Sequence, residues 1–177
     1  MQDETYNQTA REFGAALERL ARVYEADADK RRDLLQEIHV ALWRSFAVFD
    51  GRCQLRTWVY RVAHNTAVTH VMRNQRQRAP LASLEEVETL ANAAAADEDA
   101  ETSTDRQFAL ERLYRLIHRL QPVDRQVMLG YLEGLDAAAI GEITGLSPPN
   151  VATRIHRLKA ILARRFNQLS EGGRHGR

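Results

Sequence analysis

The stretch from Leu135 to Arg165 limits what this chain can fold into more than any other part of the sequence. Ala137 to Thr144 has the length and the apolar spacing of a short helix. Gly145 follows directly, and glycine is favoured just past a helix end, where the backbone turns left-handed. Ser147 suits the cap of a second helix, and Pro148 suits its first position, where no amide donor is lost. The stretch therefore predicts two helices joined by a short turn.

The second of these helices has an apolar face and a polar, basic face. The apolar residues recur at helical spacing and are Val151, Ile155, Leu158 and Leu162. At or beside the opposite face lie side chains of a kind that can donate hydrogen bonds to DNA, namely Asn150, Thr153, Arg154, His156 and Arg157. This arrangement predicts a helix-turn-helix whose second helix reads DNA. The alternative is an ordinary helical hairpin with a solvated basic face, which the pattern alone leaves open.

The rest of the chain is also predicted to be helical, since no alternating pattern is long enough for a strand. Apolar residues recur at helical spacing in four further segments, at about Thr9–Glu25, Arg31–Phe46, Leu55–Gln75 and Pro122–Leu132. A capping box of Thr104 and Gln107 opens one more helix, which ends before Pro122. We therefore predict an all-α protein.

Charge divides the chain into three parts. Residues 1–78 contain 13 Lys and Arg against 10 Asp and Glu, residues 79–105 contain 8 Asp and Glu and no Lys or Arg, and residues 106–177 contain 12 against 6. The middle part also lacks aromatic residues, and such a composition does not bury enough apolar surface to fold. We predict two small helical domains, 1–78 and 106–171, joined by an acidic flexible linker, 79–105, with a flexible tail at 172–177. The two basic domains favour a nucleic-acid partner.

Several classes of protein are disfavoured by the sequence. The single cysteine, Cys53, excludes an intramolecular disulfide framework, and the Cys and His residues lack zinc-ligand spacing. No nucleophile–base set or phosphate-binding glycine loop indicates an enzyme, so we expect no catalytic site, no metal and no cofactor. The polar, acidic N-terminus does not resemble a signal peptide, and no apolar run approaches the roughly 20 residues of a membrane span. We expect a cytoplasmic protein without membrane contact.

The third predicted helix and its flanks combine arginines with aromatic and amide side chains. This combination suits single-stranded nucleic acid, because bases stack on aromatic rings and phosphates attract arginine. The residues concerned are Arg52, Arg56, Trp58, Tyr60, Arg61, His64, Asn65, Arg73, Arg76 and Arg78. The alternative is that the two aromatic residues belong to the core, and for Trp58 we favour that interpretation.

Four motifs resemble the extracytoplasmic-function (ECF) sigma factors of bacterial RNA polymerase, in the order that the family has them. Similarity to the polymerase-binding helix of region 2 lies in Asp33-Leu34-Leu35-Gln36-Glu37 and Ala41-Leu42-Trp43. Similarity to the segment that reads the minus-ten element lies in Phe49-Asp50-Gly51-Arg52 and in residues 56–65. Similarity to the start of region 4 lies in Leu120-Gln121-Pro122, Arg125 and residues 131–135, and similarity to its recognition helix lies in Gly145-Leu146-Ser147, Val151, Arg154 and Arg157.

The resemblance implies a factor that binds core RNA polymerase, through its β′ and β subunits, and directs it to promoter DNA. It implies polymerase contacts at Asp33, Leu34, Gln36 and Glu37. It implies minus-ten contacts at Arg56, Trp58, Arg61, His64, Asn65, Arg73 and Arg76, with Asn65 at the position that contacts a flipped base. It implies minus-thirty-five contacts at Asn150, Thr153, Arg154, His156 and Arg157. The family also allows an anti-sigma factor as a partner, and its linker threads the catalytic cleft of the polymerase.

Two departures from the family pattern are visible. Lys30, Arg31 and Arg32 stand where the family usually has acidic residues, which would weaken binding to a basic polymerase surface. Pro148-Pro149-Asn150 replaces the usual opening of the recognition helix. A competing interpretation is a stand-alone helix-turn-helix regulator that never binds polymerase, but it leaves the motif from Leu34 to Glu37 unexplained.

Overall fold

The structure, a computed structural model, describes residues 2–74, 113–114 and 117–172, with side chains in the last helix up to residue 161 and at residue 163. Every element in these ranges is an α-helix, as predicted, and none of these helices combines the length and apolar composition that a membrane crossing requires. The predicted linker, the capping box of Thr104 and Gln107, Arg76, Arg78 and residues 173–177 of the predicted tail lie outside the described residues. The helices with defined bounds are α1 (Gln2–Tyr24), α2 (Ala28–Ser45), α3 (Leu55–Asn74), α4 (Pro122–Leu132), α5 (Ala137–Thr144) and α6 (Pro148–Gly172). Residues 113–114 and 117–119, ahead of α4, are helical as well.

Helices α1, α2 and α3 form an N-terminal unit, and its buried apolar residues belong to a core that continues into the C-terminal helices. Each helix contributes a face whose residues recur at helical spacing. The fully buried side chains include Leu17, Leu20, Tyr24, Leu34, Ile38, Leu42, Val59, Tyr60 and Val71. The predicted apolar stripes are therefore confirmed for most of their members. Trp43, which helical spacing also placed on the apolar face of the second helix, is 42% exposed instead.

Helix α1 begins at Gln2, well before the predicted start at Thr9. Contacts with Trp43 of α2 explain the difference. The indole Nε1 of Trp43 donates to the carboxylate of Asp3 at 2.8 Å, and its backbone carbonyl accepts from the Gln2 amide at 2.7 Å. The first turns of α1 are thus held by a residue about 40 positions away, which local sequence patterning does not register.

Helix α2 begins at Ala28, whereas the sequence pattern placed its start at Arg31. The carboxylate of Asp27 accepts hydrogen bonds from the backbone amides of Asp29 and Lys30, both at 2.9 Å, and so caps the helix. The bond from the Lys30 amide is the main reason why the pKa of Asp27 is lowered.

Helices α4, α5 and α6 form a C-terminal unit that contains the predicted helix-turn-helix. Asp136 caps α5 by accepting from the amide of Ala139 at 2.7 Å. Gly145 ends α5 in the left-handed region, with φ +76°, and its amide donates to the carbonyl of Gly141 at 2.8 Å. The buried apolar residues of this unit are Val127, Met128, Leu129, Ile140, Ile143, Val151, Leu158 and Ile161.

The two units pack directly against each other, α3 against α5 and α1 against α4. The hydroxyl of Tyr24, at the end of α1, donates to the carbonyl of Pro122 at 3.4 Å. The guanidinium of Arg125 lies over the ring of Tyr24, 5.6 Å from its centroid. The helix-turn-helix is therefore held beside the helix that carries the predicted minus-ten residues.

We predict that Gly141→Ala destabilises the helix-turn-helix. A Cβ at this position would lie 2.7 Å from the backbone carbonyl oxygen of Leu146, and a backbone atom in a tight turn cannot move aside as a side chain can. The free energy of unfolding should fall by roughly 1–3 kcal/mol, measured by urea denaturation followed by circular dichroism.

Gly14→Ala in the middle of α1 is the matched control, because an added Cβ there meets no atom within 4 Å. Alanine is the better helix former, so this variant should gain up to about 1 kcal/mol. Equal stability of the Gly141→Ala protein and the wild type would show that the turn is looser than described.

Candidate nucleic-acid interface

The outer face of α6 carries the residues predicted to read DNA. Asn150, Thr153 and His156 are exposed there, and Arg157 is half-buried. The hydroxyl of Thr153 donates to the carbonyl of Pro149 at 3.0 Å, which fixes its rotamer on the helix. The structure therefore places four of the five predicted residues at or near one surface of the recognition helix.

Arg154, the fifth, turns back toward the body of the C-terminal unit. Its guanidinium donates to the carboxylate of Asp124 in α4, and its Nε donates to the side-chain oxygen of Asn150 at 3.1 Å. Asp124 is 3% exposed, so its charge requires this partner. Arg154 therefore sets the angle of the recognition helix on α4 and at the same time orients Asn150.

Asp124 is a positioning residue that the sequence interpretation missed. Helix α4 contains only two charged residues, Asp124 and Arg125, and both are buried. The guanidinium of Arg125 donates to the backbone carbonyls of Leu120, at 3.0 Å, and of His118. The sequence offers one indication of this role, namely two adjacent charged residues in an otherwise apolar helix. Charged residues that are buried are usually paired, so a partner could have been expected.

The residues predicted to contact the minus-ten element are spread along α3. Trp58, Arg61 and Asn65 share one side of the helix, because their spacings are three and four residues. Asn65 is exposed, and the guanidinium of Arg61 lies 3.8 Å from the carboxylate of Glu142 in α5. The indole of Trp58 donates to the hydroxyl of Ser45 at 3.0 Å and packs on Phe49, so this ring is partly in the core, as favoured from the sequence.

His64 lies in the core, where the sequence predicted a DNA contact. Its side chain is 0% exposed, and its Nδ1 is 3.0 Å from the hydroxyl of Tyr24. Burial lowers the pKa of His64 to about 3, so the ring is neutral. The packing of α3 on α1 removes His64 from any direct DNA contact in this arrangement.

Of the residues predicted to bind polymerase, some are exposed and others are buried or paired within the protein. Asp33 and Gln36 are exposed on α2. Leu34 is 0% exposed and fills the core, so it supports the helix and offers no surface. The carboxylate of Glu37 accepts from the guanidinium of Arg73 on α3 at 2.6 Å, and this pair is half-exposed.

Glu133, at the end of α4, accepts hydrogen bonds from several side chains of the N-terminal unit. Its carboxylate accepts two bonds from Arg19, at 2.6 and 2.9 Å, and one from the hydroxyl of Tyr60 at 3.0 Å. Its backbone carbonyl accepts from Arg56. The bonds from Arg19 lower the pKa of Glu133, whereas burial, followed by the charge of Glu133, raises the pKa of Tyr60 to about 12. The sequence did not reveal this group, which we call the Glu133 cluster, because 114 positions separate Arg19 from Glu133.

These elements define an all-helical, two-unit DNA-binding protein. Residues 9–77 match the family described as Sigma-70 region 2, and residues 110–162 match Sigma-70, region 4. Among the described residues, no group of three or more His, Cys, Asp or Glu side chains is placed to hold a metal ion.

Comparison with curated proteins gives the same family. The chain is 31% identical over 126 residues to the RNA polymerase sigma factor CarQ of Myxococcus xanthus, covering 71% of this chain and 68% of CarQ. It is 27% identical over 158 residues to the ECF RNA polymerase sigma factor SigW of Bacillus subtilis, covering 85% and 80%. Its 31% identity over 117 residues to the ECF RNA polymerase sigma factor SigG of Mycobacterium tuberculosis covers 66% of this chain but spans only 29% of the length of SigG. The chain belongs to the ECF sigma factors.

A solved structure has the same fold. It shows CnrH in complex with the cytosolic domain of CnrY, and it matches with a TM-score of 0.64 at 22% identity over 93% of this chain and 89% of that chain. At this identity the likeness bears on the fold alone.

We predict that the buried position of His64 makes stability depend on pH. The folded pKa of about 3 lies below the ordinary value of 6.5, so the unfolded chain binds a proton that the folded chain rejects. Stability should be full above pH 6.5 and fall as the pH drops toward 3, by up to about 1.4 kcal/mol per pH unit. Urea denaturation at pH 7, 6 and 5 measures this slope.

The comparison variant is His64→Gln, which removes the titrating group and should flatten the slope. His39→Gln is the matched control, because burial also lowers the pKa of His39 but the ring is only half-buried. The control should keep most of the slope. An identical slope in wild type and His64→Gln would contradict the prediction.

Proposed function

We propose that this protein is a sigma factor that binds core RNA polymerase, through the β′ and β subunits, and directs it to specific promoters. The observation that carries the proposal is the order of the two matched regions, region 2 before region 4, with a basic helix-turn-helix in the second. Catalysis belongs to the polymerase, and the chain itself supplies recognition. A factor of this kind acts in the cytoplasm, where the polymerase and the promoter DNA are.

The predicted domain division gives each part a task. Residues 1–78 would bind the polymerase and open the minus-ten element, and residues 106–171 would bind the minus-thirty-five element in the major groove. Residues 79–105 would thread the channel of the polymerase, because their 8 acidic residues resemble the charge of RNA. The exposed Asp33 and Gln36 are the best placed for polymerase contact.

A protein partner that controls the factor is also supported. CnrH, which has a similar fold, is seen in complex with the cytosolic domain of another protein, CnrY. We propose that an anti-sigma factor is a partner of this chain as well.

Run-off transcription on fragmented genomic DNA tests the function directly. Purified core polymerase with this chain should yield discrete transcripts that neither component yields alone. A stand-alone helix-turn-helix regulator is the second candidate, and it would bind duplex DNA without being retained by core polymerase in a pull-down. Absence of both transcripts and retention would reject the sigma-factor proposal.

Arg157→Ala should relax the preference for the minus-thirty-five sequence. Arginine pairs with the edge of a guanine, and such a contact contributes about 1–3 kcal/mol of discrimination. Selection from a promoter library randomised at minus thirty-five measures the preference. Lys159→Ala is the control, because it removes a positive charge from an exposed position on the same helix. The Lys159 ammonium lies over the ring of Tyr131, 5.6 Å from the centroid, so it is already engaged within the protein. An unchanged preference in a folded Arg157→Ala protein would remove Arg157 from base reading.

Asn65→Ala should impair promoter opening while leaving polymerase binding intact. Asn65 is exposed on α3, and its amide offers two donors and an acceptor to the edge of an unpaired base. A flipped base costs a few kcal/mol to unstack, so a lost contact shows in the melting step. Permanganate footprinting of the melted region measures it. Thr69→Ala, one turn further along α3, is the control. The Thr69 hydroxyl donates to the backbone carbonyl of Asn65 at 2.9 Å, so this variant removes a bond within the helix and keeps the Asn65 side-chain amide. Normal melting and an unaltered base profile would count against Asn65.

A further inference from the structure

One side of helix α2 carries a row of exposed residues. Four of them share one face of the helix, because they are spaced three, four and three positions apart. They are Asp33, Gln36, Val40 and Trp43, and we call them the α2 face. Val40 is 48% exposed and Trp43 is 42% exposed. The two polar residues that are best placed for polymerase contact are therefore continued by two apolar ones.

The indole of Trp43 is fixed although much of it is exposed. Its Nε1 donates to the carboxylate of Asp3 at 2.8 Å, and an indole has only this one N–H to donate. A hydrogen bond to a carboxylate is stronger than one between neutral groups. The side-chain amide of Gln2 donates to the backbone carbonyl of Trp43 at 2.7 Å. The first turn of α1 thus holds both the ring and the backbone of Trp43.

A second contact holds α1 against α2 one turn further along. The hydroxyl of Tyr6 lies 3.0 Å from Nδ1 of His39, and the two rings meet edge to face with their centroids 6.0 Å apart. His39 precedes Trp43 by four residues, so it lies one turn before Trp43 on α2. The first two turns of α1 therefore have a defined position beside the α2 face.

We propose that Asp3 is a positioning residue for the binding of core polymerase and that it acts through Trp43. The inference rests on the proposed function, because core polymerase is the partner of the α2 face. Asp3 does not have to touch the polymerase itself. It keeps the Trp43 ring in one orientation, so the apolar end of the α2 face is formed before the polymerase binds.

The length of the α2 face supports a single partner for its two ends. Ten residues separate Asp33 from Trp43, which corresponds to about 15 Å along the helix axis. A specific interface covers about 800 Å² on each partner, which is a patch roughly 30 Å across. A polymerase surface that contacts Asp33 and Gln36 therefore reaches Trp43 as well. Such a surface would offer a cationic group opposite Asp33 and an apolar pocket opposite Val40 and Trp43.

A fixed tryptophan favours binding for two reasons. Tryptophan buries a large apolar area and is enriched among the residues that dominate interface energies. A ring that is already held in its bound orientation also loses less conformational freedom when the partner binds. Releasing this one side chain should therefore weaken binding about two- to tenfold.

Binding of the full-length chain to core polymerase tests the proposal. The affinity of each variant is measured by competition against fluorescently labelled wild type. Trp43→Ala should weaken binding about tenfold or more. Asp3→Ala should weaken it about two- to tenfold with the tryptophan still present. Asp3→Asn keeps an oxygen that accepts from the indole, so its affinity should stay within about twofold of the wild type.

Glu4→Gln is the matched control for charge. Asp3 and Glu4 both lie in the first turn of α1, where an acidic side chain stabilises the helix N-terminus. Glu4 is exposed, and Trp43 donates its indole bond to Asp3, so this variant leaves that bond in place. Its affinity for core polymerase should match the wild type. Equal weakening by Glu4→Gln and Asp3→Ala would assign the effect to the helix terminus and overturn the proposal.

A double-mutant cycle separates positioning of Trp43 from a general effect on α1. Trp43→Phe keeps an aromatic ring but has no N–H to donate. In that background Asp3→Ala should cause no further loss of affinity, because the bond that couples the two residues is already absent. The same loss with tryptophan and with phenylalanine at position 43 would show that Asp3 acts by another route, which contradicts the proposal.

The mobility of the Trp43 ring gives a second measurement, in the free protein. The chain contains two tryptophans, so Trp58→Phe leaves Trp43 as the only one. In this background Asp3→Ala should lower the fluorescence anisotropy of Trp43 and increase its quenching by acrylamide, whereas Glu4→Gln should change neither. Circular dichroism checks that each variant is folded. Unchanged anisotropy and quenching in a folded Asp3→Ala protein would show that Asp3 does not fix the ring.

Sedimentation distinguishes core polymerase from a second copy of the chain as the partner of the α2 face. A wild type that sediments as a dimer, with Trp43→Ala as a monomer of unchanged affinity for polymerase, would overturn the proposal. Failure of the proposed function is separate, because the wild type would then neither bind core polymerase nor yield transcripts. Failure of this inference leaves both intact, and the wild type and Asp3→Ala proteins would bind core polymerase equally.

Discussion

The two buried charges of α4 constrain the rest of the structure. An unpaired charge in a protein interior is strongly unfavourable, so Asp124 and Arg125 each require a partner on another element. Asp124 accepts a hydrogen bond from the guanidinium of Arg154 and so fixes the recognition helix. Arg125 donates to the carbonyls of His118 and Leu120 and lies over Tyr24 of the N-terminal unit. One helix thereby sets both the angle of α6 and the contact between the two units.

Helix α3 packs against both α1 and the C-terminal unit. Its polar residues therefore differ in whether they are buried, paired or exposed. His64 faces α1, where burial keeps it neutral and bonded to Tyr24. Arg56 and Arg61 face the C-terminal unit, and Asn65 remains exposed. Some polar residues of such a helix are used for packing and are not available to a ligand. The number of DNA contacts predicted from the sequence of α3 is therefore too large.

The boundary between the units combines apolar and polar contacts. The buried apolar residues of both units belong to one continuous core. Hydrogen bonds add to it, from Tyr24 to the carbonyl of Pro122 and from Arg19 to the carboxylate of Glu133. Separating the units would therefore break polar contacts and also expose hydrophobic surface, which is unfavourable in water.

The sequence by itself determined the helices, the left-handed turn at Gly145, most of the buried faces and the family, because periodicity, caps and turn residues act within a few positions along the chain. It also indicated Asn65 and the outer face of α6 as candidate DNA contacts. Only the tertiary structure decided that His64 and Leu34 are core residues, that Arg154 is paired with Asp124, and that Glu133 binds Arg19. The physical reason is separation: these partners lie 30 to 114 positions apart, and burial depends on which helices meet.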